Sequence, residues 1–155
     1  MNANGKNGQF QNILIGYDGS KSSQHALQIG LGIARGMHAR VELLAVASLP
    51  EPAMLVESHA VLDGARRRYT SELEQIAKAA RETGIEIETD IRAGHPAAQI
   101  IQQAEKDKID LIVLGRRGTS RLSQLIMGSV SERVLRYASC PVLVTSEVPD
   151  EHSLS

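Results

Sequence analysis

Gly115, Gly118 and Gly128 punctuate the stretch "LGRRGTSRLSQLIMGSVSER" as Gly-x2-Gly-x9-Gly-Ser, with Arg116, Arg117 and Arg121 between them. Glycine costs chain entropy wherever it sits, so such a cluster needs a local reason. One reason is an anion: without a Cβ in the way, backbone N–H groups can close on phosphate oxygens. The helical pattern that begins at "GSVSE" adds free amides and a partial positive charge at its N-terminus. Ser129 and Glu132 have the S-x-x-E spacing of a capping box, which predicts Ser129 as the N-cap. Each feature alone has a plainer reading, in which glycines shape a turn, a serine caps a helix and arginines meet water. Together, behind an apolar run and ahead of a capped helix, they favour a phosphate cradle.

A second group of the right chemistry is "GYDGS", Gly16 to Ser20, where an apolar run stops. Asp18 there can face a ligand, or it can hold its own turn through Asx-type hydrogen bonds. Three rival motifs fail. "GLGIARG" imitates a dinucleotide fingerprint but has the wrong spacing and lies inside a helical pattern, where close helix packing explains its glycines better. A Walker A loop needs Gly-Lys-Ser/Thr, and this loop has no lysine. The histidines at 25, 38, 59, 95 and 152 show no ligand spacing with each other or with Cys140, so no dedicated metal site is expected. His95 is read as a solvated helix start and Cys140 as a small buried apolar residue.

The elements that must position these groups follow from periodicity. "NILIG", "RVELLAVA", "IEIETDI", "DLIVL" and "PVLVT" read as strands. Helical spacing runs through Ala26, Ile29, Ile33, Ala34 and Met37, then from Leu62 to Ala80 with Gly84 as its C′ residue, then from Pro96, and last over about Val130 to Ala138. "SLPEPAMLVESHA" is expected to be a connection. The order β-α-β-α-β-α-β-α-β implies right-handed crossovers and a parallel sheet covered on both faces. Ligands of such sheets bind beyond the carboxyl ends of the strands, where strand order reverses. The loops after the first and fourth strands carry the candidate chemistry, and if those strands are neighbours at the switch point both loops open into one crevice. The clean alternation of Ile85, Ile87 and Ile91 suits an edge strand.

The motif G-x2-G-x9-G-[ST], with "GSVSERVLRYASCPVLV" behind it and "ILIGYDGS" at the start, closely resembles the ATP-binding branch of the universal stress protein family. The resemblance runs from about Asn12 to Thr145. It implies a single-domain, three-layer α/β/α fold, Rossmann-like and of the adenine nucleotide alpha hydrolase type, with a five-stranded parallel sheet in the order 3-2-1-4-5. It implies that Gly118, Gly128, Ser129 and Val130 hold the phosphates of ATP, with Arg117 beside them, through backbone N–H groups. Gly115 would lie near the ribose and Gly16 would supply a carbonyl. Asp18 would face the phosphate or metal side, and Val46 would meet the adenine through its backbone. Mg2+ or Mn2+ would be bound through the ATP phosphates. A homodimer through the last strand, at Val142 and Val144, is the implied assembly. Cyclic AMP is an alternative ligand, and an ATP-hydrolysing or adenylate-transferring enzyme is an alternative activity. The further signature loops of adenylate transfer, however, are missing.

Composition agrees with a small soluble domain. At 155 residues, with 42% hydrophobic and 23% charged residues, the chain can bury roughly 70% of its unfolded surface. Seventeen basic against eighteen acidic side chains give no field for nucleic acid or anionic membrane. One cysteine and the lack of any long apolar run predict a cytoplasmic protein without a disulfide. Residues 1–11 and 147–155 are expected to be polar tails flanking one domain at 12–146.

Overall fold

Apolar runs too short for helices and too continuous for a half-wet sheet become the inner strands here. The computed structural model describes residues 8–49, 55–116 and 127–146, with 55–57 by backbone alone. The expected tails lie largely outside these residues. In chain order the elements are β1 (Asn12–Gly16), α1 (Lys21–Met37), β2 (Arg40–Ser48), α2 (Leu55–Glu82), β3 (Ile87–Gly94), α3 (Pro96–Lys106), β4 (Leu111–Gly115), α4 (Ser129–Tyr137) and β5 (Val142–Thr145). All strand pairs are parallel and the sheet order is β3-β2-β1-β4-β5. The expected order 3-2-1-4-5, with helices on both faces, is therefore the observed one.

Alternation along β1 divides the core. Ile13 and Ile15 join Val41, Leu43, Tyr69 and Leu73 in the cluster under α1 and α2. Leu14 turns the other way, to Leu44, Ile100, Ile112 and Val134 under α3 and α4. A strand buried on both sides has no polar alternate positions to spare, which is why "NILIG" reads as an unbroken run. Gly30 serves α1 as expected from close packing: a Cβ there would meet Ile15 Cδ1 at 2.6 Å, whereas Gly32 and Gly36 face open space. The buried stripe of α1 runs through Ala26, Leu27, Gly30 and Ala34, and Ile29, expected inside, is exposed.

Helix α2 starts at Leu55, earlier than the expected connection allowed. Beyond Pro52 nothing in "AMLVESHA" opposes a helix, so the long helix extends back toward the prolines. It stops where predicted. Gly84 takes φ +88 as the C′ residue, its N–H donates to Arg81 O at 2.9 Å, and the Ile85 N–H donates to Ala80 O at 3.2 Å. Those two bonds are the Schellman pair, and they direct Ile85 into the core. Ile85, Ile87 and Ile91 share the α2 face as expected, although β3 itself begins only at Ile87.

Candidate functional site

β1 ends at Gly16, opposite Leu44, but β2 continues to Ser48. From Ala45 onward, therefore, β2 has no partner on its β1 side. The missing strand length opens a cavity of about 590 Å³ above the ends of β1, β2 and β4, within the usual range of small-molecule sites, roughly 300–1,000 Å³. Gly16, Asp18, Val46, Gly115, Gly128, Ser129 and Val130 all line it. Seven of the nine expected site residues thus meet at one place, the switch point between β1 and β4. The other two, Arg117 and Gly118, lie outside the described residues.

The glycines at the strand ends permit close approach. A Cβ on Gly16 would sit 2.5 Å from Leu114 Cδ2. At Gly115 the neighbour is less forgiving: a Cβ would lie 2.6 Å from the backbone carbon of Ser22 and 2.4 Å from its Oγ. The first turn of α1 thus rests directly on the end of β4. That turn is held locally, with Ser20 as N-cap accepting from the Ser23 N–H at 3.1 Å.

Asp18 is a turn residue that also lines the cavity. Its Oδ1 accepts from the Ser20 N–H at 2.9 Å, an Asx-type bond. Its carbonyl accepts from Tyr69 Oη at 3.2 Å, and Tyr17 Oη donates to Glu72. Burial is the largest reason that both hydroxyls have raised pKa values; the adjoining Glu72 raises Tyr17 further. Both phenols therefore stay neutral and remain donors, and they bind α2 to the loop that carries Asp18.

On the opposite wall the expected capping box does not form. Gly128, not Ser129, is the N-cap of α4, and Ser129 is its first helical residue. Glu132 reaches forward to Arg136 at 3.3 Å, not back to the cap. Gly128 also donates its N–H to Arg116 O at 2.8 Å. The amides of Ser129, Val130 and Ser131 precede the first intrahelical bond, Glu132 N–H to Gly128 O, and have no acceptor among the described residues. Ser131 was not anticipated. It is buried, and its Oγ donates to Gly115 O at 2.6 Å, fastening the start of α4 to the end of β4.

Two further lining residues, Arg68 and Tyr69, come from α2. Tyr69 falls within the helical spacing that runs from Leu62 to Ala80, and no signal in the sequence assigns the adjacent arginine to a site. His95 stands at the N-cap of α3 and touches Arg133 at 3.3 Å. Cys140 is half-buried against the α3/α4 cluster, where burial pushes its thiol pKa up. No group of three or more His, Cys, Asp or Glu side chains is arranged to hold a metal ion among the described residues. Nor is any described helix long and apolar enough to cross a membrane.

A parallel sheet with a cavity at its switch point, flanked by a helix N-terminus, defines a doubly wound α/β fold. A profile of the universal stress protein family matches residues 9–146, and the chain belongs to that family. Universal stress protein MJ0531 of Methanocaldococcus jannaschii is 34% identical over 151 residues, 96% of this chain and 88% of its own. UspA of Lactobacillus plantarum shares the fold with a TM-score of 0.80 at 27% identity, over 89% of this chain and 99% of that one. Two structures have the same fold at lower identity. One is a universal stress protein in complex with cAMP (TM-score 0.69, 23% identity, 89% and 99% covered). The other is a family protein of Arabidopsis thaliana with AMP bound (TM-score 0.67, 22% identity, 91% and 94% covered).

Proposed function

We propose that this protein binds ATP in the switch-point cavity and acts as a nucleotide-dependent regulatory module of the stress response, in the cytoplasm. The observation that carries the reading is the pair of walls facing one another across the cavity. The amides of Ser129, Val130 and Ser131, which have no acceptor among the described residues, offer an anion site at one end. The unpaired edge of β2 around Val46, with Leu44 and Ile100 beneath it, offers an apolar slot with backbone donors and acceptors for a base at the other. Gly16 and Gly115, between the two, suit the ribose. By resemblance to the family motif, Arg117 and Gly118 complete the phosphate side, and a divalent cation would be held through the phosphates and Asp18.

Mass spectrometry of small molecules released from freshly purified, denatured protein tests the reading. ATP is the expected species. Cyclic AMP or AMP in its place would keep the site and change the ligand, in line with the relatives solved with those molecules. Failure to find any adenine nucleotide, together with no binding on addition, would refute the reading.

The assembly is proposed as a homodimer through β5. This strand is a sheet edge, and Val142 and Val144 are only half-buried on it. An exposed apolar edge is a hazard that a two-fold partner removes.

A further inference from the structure

Among the residues that line the cavity, the described charges are Asp18 and Arg68 alone. Arg68 projects from α2, exposed to solvent, with its guanidinium carbon 4.8 Å from the centroid of the Tyr69 ring. That platform is fixed: Tyr69 is 5% exposed and its hydroxyl is bonded to the Asp18 carbonyl. The guanidinium also reaches the β1–α1 loop, with Nη2 4.0 Å from where a Cβ of Gly19 would stand. No carboxylate lies within ion-pair distance of it among the described residues. The guanidinium therefore sits over an aromatic ring, while its N–H groups have no acceptor among the described residues.

We infer that Arg68 is a ligand-binding residue of this site, donating its N–H groups to a phosphate of the bound nucleotide from α2, which packs on the other face of the sheet from α4. The inference rests on the nucleotide reading given above. Planar donors held at a cavity mouth match phosphate oxygens two at a time, a geometry that lysine cannot copy. Stacking on Tyr69 limits the side-chain freedom that binding would otherwise have to remove. A base is a poor occupant for this position, because the face of the Tyr69 ring that it would stack on is already covered by Arg68. Arg68 thus makes the cavity prefer phosphorylated nucleotides to the nucleoside, a preference read by a side chain as well as by helix amides.

Calorimetry with ATP, AMP and adenosine on the parent, Arg68→Ala and Arg68→Lys decides the matter. Arg68→Ala should weaken ATP and AMP about 10- to 100-fold and leave adenosine unchanged. Arg68→Lys should recover only part of the loss, and the recovered part should vanish in high salt. Equal affinity of parent and Arg68→Ala for ATP and AMP would overturn the inference while the nucleotide reading stood. Equal weakening of adenosine and ATP would also overturn it, since Arg68 would then only brace Tyr69. A parent that binds none of the three would remove the nucleotide reading and this inference together. Circular dichroism of both variants checks that α2 is intact, which the solvent exposure of Arg68 favours.

Discussion

Gly115, the last residue of β4, faces Ser22, in the first turn of α1, so closely that a single methyl group would lie 2.6 Å from the serine's backbone carbon. Backbone cannot rotate aside as a side chain can. Gly115→Ala should therefore destabilise the fold by about 1–3 kcal/mol, the usual cost of overpacking. The exposed helical Gly32, with nothing within 4 Å of its Cβ direction, supplies the contrast. Gly32→Ala should gain about 0.5–1 kcal/mol. Urea midpoints of the two variants that move the same way would contradict this account.

Asp18→Asn keeps the oxygen that accepts from Ser20 and removes the charge from the cavity. Stability should change by less than about 0.5 kcal/mol, as for a substitution that spares its hydrogen bond. ATP titrations with and without magnesium should differ less for the variant than for the parent. If they differ by the same amount, Asp18 serves only its turn.

Glu42 sits 6% exposed on β2 and accepts from Gln103, which also donates to Asp107. Burial first, then the Asp107 hydrogen bond and charge, push its pKa from 4.5 to about 7. A raised pKa means that the folded state holds the proton more tightly than the unfolded one. The resulting stability is whole below pH 4.5 and is lost as pH climbs through 7. Between those limits the parent should lose on the order of 3 kcal/mol relative to Glu42→Gln. Denaturation of both proteins at pH 5 and pH 8 measures this difference, and parallel pH profiles would refute it.

Val144→Lys should turn the β5 dimer into a monomer. Sedimentation at micromolar concentration should give twice 16.8 kDa for the parent and 16.8 kDa for the variant. A parent already at 16.8 kDa would end the dimer proposal.

Much of this architecture is legible in one sequence because periodicity is a property of each segment alone. The runs of β1 and β4 fix buried strands, the alternation at Ile85, Ile87 and Ile91 fixes an edge, and Gly84 fixes a helix end. The cap of α4 is not legible in this way, because Ser129 and Glu132 satisfy the spacing of a capping box, while the structure gives Glu132 to Arg136 and Gly128 to Arg116. No local pattern reveals such competition. Arg68 was missed for a related reason: spacing shows which side of α2 is apolar, but not that part of it overhangs the strand ends. Only the packing of α2 on the β1–α1 loop, through Tyr17 and Tyr69, brings that arginine to the cavity.

The Gly128 N–H bond to Arg116 O fastens together the two ends of the chain between β4 and α4, and Arg116 N–H in turn grips Thr145 O in β5. The entropy of closing a chain segment grows only slowly with its length, so this clasp can hold the end of β4, the start of α4 and β5 in one register whatever length of chain it closes.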